Sequence, residues 1–271
     1  MAQALVPLKD LVEAKSRLAG LLSPSERRAL AQAMVEDVLA VLAQHAELSR
    51  VVLLSDDPCA GLLANQYAIE SWPERSLGCS GLNALVSCAS QRLLAASDEP
   101  LLVLHGDLPL IGPEDITAVL SLQRSLGGLV IGCDRAGSGT NLLAFDTRSA
   151  PVFQFGPESC LHHAASAAEQ GQPVQVLQRP GLALDIDEPA DLQVLLDTLG
   201  QQFSPLVGDV ILSAPPAGAS LDVARHTAAL LSGTVLGSRI GLALATLDGA
   251  GKNDIQTGPG PDLQTGTIET S

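Results

Sequence analysis

The sequence predicts an α/β protein with a mainly parallel sheet flanked by helices, and three observations support this. Short apolar runs without polar alternation, such as Leu101–Leu104, are typical of strands buried on both faces of a sheet. These runs alternate with longer segments of helical periodicity up to residue 199. Hydrophobic residues make up 46% of the 271 residues, enough for a packed core.

The first predicted strand, residues 2–6, ends at Pro7, and the next helix begins at a capping box, Ser23-Pro24-Ser25-Glu26. That helix has apolar side chains at spacings of three and four residues, which form a packing face: Leu30, Met34, Val38, Val41 and Leu42. Further strands are predicted at residues 51–55, 67–72, 101–104, 128–132, 140–145 and 174–177. Helices are predicted after residues 81, 112, 157 and 187, the last one ending near residue 199.

The character of the chain changes after this last helix. Residues 201–271 are richer in Gly, Pro, Ser and Thr, and the final twenty have almost no periodic apolar pattern. We therefore predict one α/β domain over residues 1–199 and a partly disordered C-terminal extension over residues 200–271. The sequence does not indicate a function for the extension.

Composition excludes several classes of partner. The formal net charge is −15, and the chain has one Trp, one Tyr and four Phe, so it lacks the basic and aromatic surface of a nucleic-acid binder. The apolar segment at residues 227–246 is interrupted by Arg239, so we expect no membrane span. Five scattered cysteines without a CxxC pair, and no recognisable leader, predict reduced thiols and a cytoplasmic protein.

Three cations follow the first predicted strand within nine residues: Lys9, Lys15 and Arg17. An isolated run of this kind is usually a solvated charged face. In α/β folds, however, phosphate groups often bind directly after the first strand. Neither GxxxxGK[ST] nor GxGxxG is present, so the Walker and dinucleotide-binding motifs do not apply.

Acidic residues follow two other buried segments. Asp107 comes where the 101–104 strand would end, the edge at which α/β proteins bind ligands, although it could equally be a solvated turn residue. Asp185 and Asp187 are two residues apart in an extended segment and project to one face. Two close carboxylates repel unless a cation lies between them, so a magnesium site and a helix cap at Asp187 are both compatible with the pattern.

Two further motifs have a local interpretation. Gly78-Cys79-Ser80-Gly81-Leu82-Asn83 is a loop of small residues that opens a helix, which allows either the close approach of a flat ligand or an ordinary helix start. His162 and His163 are adjacent on a predicted helix and point in different directions. Zinc binding on one helix face needs a spacing of three or four residues, so we predict no zinc site there.

The order of the motifs resembles one enzyme family. Pro7-Leu8-Lys9, Ala14 to Leu18, Gly81-Leu82-Asn83, Asp107-Leu108-Pro109, Gly139-Thr140-Asn141, Phe155-Gly156 with Ser159 and His163, and Asp185-Ile186-Asp187 are similar in order and spacing to the 2-phospho-L-lactate guanylyltransferases. These enzymes act in the biosynthesis of coenzyme F-420. The resemblance covers residues 1–199 and implies a glycosyltransferase-A-like nucleotidyltransferase fold.

The resemblance also implies a reaction and a set of roles. GMP from GTP would be joined to a three-carbon phospho-acid, which is 2-phospho-L-lactate, phosphoenolpyruvate or 3-phospho-D-glycerate in related enzymes, with release of pyrophosphate. Lys15 and Arg17 would hold the triphosphate near Lys9 and act in catalysis with Asp107. The other implied roles are contact with guanine and ribose for Gly81 and Asn83, Mg²⁺ coordination for Asp107, Asp185 and Asp187, and binding of the phospho-acid for Thr140, Gly156 and Ser159.

One segment departs from the family pattern. The family commonly has Phe-Gly-x-Gly-Ser-Phe, whereas Glu158-Ser159-Cys160 replaces Gly-Ser-Phe here, which leaves the acceptor open. Transfer to a sugar phosphate or to molybdopterin, and a non-catalytic GTP-binding relative, are the alternatives. Family members also pass their product to a lactone-transferring enzyme, and whether two copies form a homodimer is left open.

Overall fold

The computed structural model describes residues 1–11, 14–203, 224–231 and 234–252. Seven strands form one sheet: β1 (Ala2–Pro7), β2 (Leu48–Leu54), β3 (Glu70–Trp72), β4 (Leu101–Leu104), β5 (Leu129–Cys133), β6 (Thr140–Phe145) and β7 (Val174–Leu177). Their order across the sheet is β3-β2-β1-β4-β6-β5-β7. Strand β6 runs antiparallel to β4 and β5, and the other pairs are parallel. The predicted mainly parallel sheet is confirmed.

Helices connect the strands and continue beyond the last one: α1 (Pro24–Gln44), α2 (Ala60–Tyr67), α3 (Leu82–Ala96), α4 (Pro113–Leu126), α5 (Ser159–Glu169), α6 (Pro180–Ala183), α7 (Pro189–Phe203), α8 (Arg225–Leu231) and α9 (Val235–Lys252). Helix α1 begins at the predicted capping box. The Ser23 amide donates to the Glu26 carboxylate at 2.8 Å, and the Glu26 amide donates back to the Ser23 hydroxyl at 3.4 Å. These bonds satisfy amide groups that the helix itself cannot pair.

Apolar side chains cover both faces of the sheet, as the strand composition predicts. In β1, Val6 contributes to one hydrophobic cluster and Leu5 to another on the opposite face. The first cluster includes side chains of α1, α2 and α4, and the second includes side chains of α3 and α5. The central strands are therefore buried on both faces, which leaves polar groups at their ends for contact with a ligand.

The C-terminal helices pack on the outer side of α1. Helix α7 ends at Phe203, four residues beyond the predicted end, and shares a third hydrophobic cluster with α1, α8 and α9. The buried Asp37 carboxylate in α1 accepts hydrogen bonds from the amides of His226 and Thr227, at 2.7 and 2.9 Å, and so caps α8. Much of the extension with its predicted partial disorder, residues 204–223 and 253–271, lies outside the described residues.

Two observations concern the membrane and redox expectations. Within the described ranges, no helix taken singly is both long and apolar enough to cross a bilayer, and α8 and α9 meet that composition only as a pair bent by 78°. The Sγ atoms of Cys79 and Cys88 lie next to each other, but their Cα atoms are 7.2 Å apart, wider than a disulfide normally spans, so reduced thiols stay a prediction. The loop before α3 folds back onto the helix and brings these two cysteines together, although they are 9 residues apart in the sequence and do not form a CxxC motif.

Candidate active site

A cavity of about 830 Å³ opens at the edge of the sheet where β1, β4 and β5 end. Strand β6 runs the other way, so its first residues, Thr140 and Asn141, lie at the same edge. The amide of His105, which follows β4, donates to the Asn141 carbonyl at 3.0 Å and joins the two strands there. The volume is within the usual range for small-molecule sites.

Lys15 joins three distant parts of the chain on one wall of the cavity. Its backbone has φ 56° and ψ 40°, the left-handed region, and its side chain is 7% exposed. The ammonium donates to the Asp107 carboxylate after β4 and, at 3.0 Å, to Asp187 Oδ1 before α7. The Asp187 carboxylate is thus engaged by Lys15. The first turn of α7 is capped instead by Asp191, which accepts the Asp187 and Glu188 amides at 3.2 and 2.9 Å.

These ion pairs set the charge of both partners. Burial by itself lowers the pKa of Lys15, but the carboxylates of Asp107 and Asp187 outweigh it and raise that pKa above its ordinary value. Burial likewise acts to raise the pKa of Asp107, while the Lys15 ammonium, with a smaller contribution from His105, holds it below its usual value. Both groups are therefore charged at neutral pH.

Asp185 is the third carboxylate on this wall. Burial, and then repulsion from Asp107 and Asp187, raises its pKa. Asn141 holds it in place, since its Nδ2 donates to Asp185 Oδ1 at 3.2 Å and to the Leu182 carbonyl at 2.9 Å. The sequence gives Asn141 no role beyond its place in the Gly139-Thr140-Asn141 motif. A polar side chain at the start of a predicted buried strand is the signal that could identify it.

The donor set suits magnesium without forming a closed metal cage. Asp107, Asp185 and Asp187 line one cavity and supply hard oxygen ligands, but no three acidic, imidazole or thiol side chains among the described residues are grouped closely enough to hold a metal ion. Mg²⁺ in phosphoryl-transfer sites commonly uses one or two carboxylates together with water and substrate phosphate. The residues present fit that pattern, and magnesium coordination by these three aspartates stays a prediction.

A neutral wall of hydrogen-bonded groups faces the same cavity. Thr140 donates its amide to Ser159 Oγ at 2.9 Å, and its hydroxyl lies 3.0 Å from His163 Nδ1. Gln154 donates its amide to His163 Nε2 at 2.9 Å. Burial, together with the nearby His162 and His105, lowers the pKa of His163 to about 4, so its imidazole is neutral at pH 7. From the sequence, His163 was a motif position at which no zinc site was predicted, and its contact with Thr140 was not foreseen.

Two residues beside this wall have a positive φ, and one of them is at a position that departs from the family pattern. Gly156 lines the cavity with φ 141°, a conformation that side chains disfavour. Glu158 also lines the cavity, with φ 54°, which favours the glycine that the family commonly has there. Cys160 is buried at the second departing position. Thr140, Gly156 and Ser159 are thus brought together, and their contact with an acceptor stays a prediction.

The remaining predicted site residues lie nearer the mouth of the cavity. Lys9 lines both the main cavity and an adjoining recess of about 180 Å³, which Gly81 also lines with φ 84°. Arg17 is 67% exposed and pairs with Glu188 at 3.0 Å. These three residues are thus exposed, unlike the buried side chain of Lys15.

Asn83 forms two hydrogen bonds with the backbone of another loop. Its Oδ1 accepts the Phe155 amide at 2.7 Å, and its Nδ2 donates to the Phe155 carbonyl at 3.2 Å. The side chain thus ties the start of α3 to the loop that carries Gly156. Contact with guanine or ribose at this position stays a prediction.

The chain has relatives among known proteins. Residues 2–203 match the family described as "Guanylyl transferase CofC like". The phosphoenolpyruvate guanylyltransferase of Rubrobacter xylanophilus is 38% identical over 202 residues, covering 74% of this chain and 97% of that protein. The protein of the same name from Chloroflexus aggregans is 35% identical over 192 residues, covering 69% and 93%.

A solved structure supports the fold independently. A protein from Desulfovibrio desulfuricans G20, provisionally classed as a nucleotide-diphospho-sugar transferase, superposes with a TM-score of 0.66 at 18% identity. The match covers 91% of this chain and 98% of that one. At this identity the likeness concerns the fold, and it confirms the predicted nucleotidyltransferase architecture.

Proposed function

Because this chain belongs to the guanylyl transferase CofC-like family, we propose that it transfers GMP from GTP to the phosphate of phosphoenolpyruvate and releases pyrophosphate. The relatives named as phosphoenolpyruvate guanylyltransferases favour this acceptor over 2-phospho-L-lactate and 3-phospho-D-glycerate. The product would enter the biosynthesis of coenzyme F-420, as the motif resemblance implies.

The observation that carries the proposal is that one cavity has a charged wall and a neutral wall. The charged wall consists of Lys15, Asp107, Asp185 and Asp187, and the neutral wall consists of Thr140 and Ser159, with the buried His163 behind Thr140. A reaction between two anionic phosphates needs positive charge where the phosphates meet and uncharged donors for the acceptor's remaining oxygens. Lys15, together with Mg²⁺ held by the three aspartates, would supply the positive charge, and Thr140 and Ser159 would supply the uncharged donors.

Lys15 is the residue that we assign to the phosphates. It is charged, nearly buried and already at the carboxyl end of β4, so it can stabilise the charge that develops between the α-phosphate and the leaving pyrophosphate. Arg17 and Lys9 at the entrance would attract the triphosphate, at the weaker strength expected of exposed charges.

The chemistry needs no protein nucleophile. An oxygen of the acceptor phosphate attacks the α-phosphorus of GTP, a new phosphoanhydride bond forms, and the bond to the β-phosphate breaks to release pyrophosphate. Thr140 and Ser159 would hold the acceptor so that its phosphate lies in line with the leaving group. Asp107, Asp185 and Asp187 would hold Mg²⁺, which when bound supplies charge neutralisation for the phosphates.

The direct test is to incubate the purified protein with GTP, MgCl₂ and one candidate acceptor at a time. The acceptors are phosphoenolpyruvate, 2-phospho-L-lactate, 3-phospho-D-glycerate and a hexose 1-phosphate. Pyrophosphate release would be followed by a coupled assay and the product identified by mass spectrometry. We expect release with phosphoenolpyruvate and with GTP as the preferred nucleotide over ATP and CTP.

Two results would contradict the proposal. Pyrophosphate release with the hexose 1-phosphate and with none of the phospho-acids would place the chain among sugar nucleotidyltransferases. GTP binding without turnover on any acceptor would indicate a non-catalytic relative.

A further inference from the structure

We infer that His163 is a positioning residue that makes the Thr140 hydroxyl a hydrogen-bond donor to the phospho-acid. The inference rests on the proposed function, because it assumes that an anionic acceptor lies against Thr140. It starts from two hydrogen bonds that meet at one buried imidazole, one with the Gln154 amide and one with the Thr140 hydroxyl.

The backbone determines which nitrogen of His163 carries the proton. The Gln154 amide is an obligate donor, and it lies 2.9 Å from Nε2, so Nε2 must be the accepting nitrogen. A neutral imidazole has one N–H, which is then on Nδ1. The ring is fully buried and its pKa is about 4, so the doubly protonated form, which could not accept from Gln154, is excluded near pH 7.

The proton on Nδ1 in turn determines the polarity of Thr140. Nδ1 lies 3.0 Å from Thr140 Oγ1, so Oγ1 accepts that hydrogen bond. The hydroxyl hydrogen of Thr140 is left over, and the described residues offer it no other hydrogen-bond partner. Thr140 lines the cavity, and the inference places that hydrogen on the cavity side, where a ligand can accept it.

The opposite tautomer would reverse this arrangement. A hydroxyl rotates freely and can donate or accept. If Nδ1 carried a lone pair, Thr140 would donate to the ring and present oxygen lone pairs to the cavity, which repel an anion. The bond from Gln154 thus favours binding of an anionic acceptor through two intermediate hydrogen bonds.

Two substitutions separate this role from simple packing. In His163→Asn, the amide Nδ2 takes the position of ring Nδ1 and can still donate to Thr140. In His163→Gln, the longer side chain places an oxygen near the position of Nε2 and can still accept from Gln154, while the donor to Thr140 is lost. Each variant keeps one of the two contacts, and thermal unfolding checks that both are folded.

We expect the Asn variant to raise the KM for phosphoenolpyruvate by less than about 3-fold and the Gln variant to raise it by about 10-fold or more, the usual loss for one hydrogen bond to a charged group. The KM for GTP and the kcat should change little in both. Thr140→Val should match the Gln variant, and the double variant Thr140→Val/His163→Gln should lose no more than Thr140→Val alone. A larger loss in Asn than in Gln, or equal losses in both, would overturn the inference.

A second measurement is independent of turnover. Correlation of ¹⁵N and ¹H signals of the histidine rings in the wild-type protein reports the tautomer of His163 at pH 7. We expect the Nδ1–H form. An Nε2–H form would overturn the inference even if phosphoenolpyruvate is a substrate. An Nδ1–H form without turnover on any phospho-acid would overturn the proposed function, while His163 would still be the residue that makes the Thr140 hydroxyl a donor.

Discussion

The charged and neutral walls of the cavity hold their functional groups by different means. On the charged wall, the Lys15 ammonium compensates carboxylates that come from 92 and 172 residues further along the chain. On the neutral wall, amide and imidazole hydrogen bonds hold Thr140 and Ser159 without any net charge. Ion pairs can exchange one cation for another, whereas the hydrogen bonds of the neutral wall fix donors in one orientation. Substitutions on the two walls should therefore differ in size and in kind.

The largest effect is expected for Asp107→Asn. Removing this charge leaves Lys15 with one carboxylate and removes a predicted metal ligand, so kcat should fall roughly 100- to 1,000-fold. The exposed Asp197→Asn substitution on α7 is the matched control and should keep wild-type turnover. Steady-state rates and circular dichroism of both variants provide the test. Normal turnover in Asp107→Asn would remove this residue from the catalytic site.

Lys15→Met should have the next largest effect, since it should lower turnover and raise the affinity for Mg²⁺. Turnover should fall roughly 100-fold, because a buried cation next to the phosphates is lost. Mg²⁺ should bind about 10-fold more tightly without nucleotide, because Asp107 and Asp187 are no longer compensated by the ammonium. Isothermal titration with MgCl₂ measures the second effect. An unchanged affinity would show that lysine and metal do not share these carboxylates.

The neutral imidazole of His163 should affect how the free energy of unfolding depends on pH. The folded pKa of His163, about 4, is below its ordinary value of 6.5, so the unfolded chain binds more protons between these values. Stability should therefore fall as the pH drops from about 6.5 towards 4. Between pH 7 and pH 4.5 the wild type should lose about 2 kcal/mol more free energy of unfolding than His163→Gln.

Urea unfolding of the two proteins at both pH values gives this difference directly. The carboxylates titrate in both proteins, so their contribution cancels in the comparison. Parallel pH profiles would mean that His163 is not held neutral by the fold.

Arg17→Gln should have a smaller effect than Lys15→Met, although both side chains are cations of the same loop. Arg17 and its partner Glu188 are 67% and 57% exposed, so water and salt screen their charges. The kcat/KM for GTP should fall about 3-fold, and added KCl should reduce the difference from wild type. A loss as large as that of Lys15→Met would mean that Arg17 enters the cavity when GTP is bound.

Glu158→Gly should have the smallest effect. Glycine relieves the left-handed conformation of this residue, and its own entropy cost offsets most of the gain, so stability should change by less than about 1 kcal/mol. Loss of the carboxylate should lower the KM for the phospho-acid about 2-fold. Glu158→Gln keeps the backbone strain and removes the charge. If only Glu158→Gly lowers the KM, the backbone and not the charge determines acceptor affinity.

Much of the fold was predictable because strand burial and helix capping produce patterns among residues that are neighbours in the sequence. Runs such as Leu101–Leu104 and the capping box at Ser23 depend on neighbouring residues only, and they indicated the sheet and the start of α1 correctly. The position of Asp107 directly after a buried strand also indicated the edge at which the cavity lies. The order of short motifs then predicted the family.

Which side chains meet depends on the tertiary structure. The pairing of Lys15 with two aspartates, the close approach of Cys79 and Cys88, the contact of Asn83 with Phe155 and the link from His163 to Thr140 all depend on how loops fold back on the sheet. Local periodicity reports how deeply a residue is buried, but it does not report its neighbours. Local sequence patterns therefore indicate the architecture and the edge that carries the site, whereas contacts between segments distant in sequence decide the chemistry of its two walls.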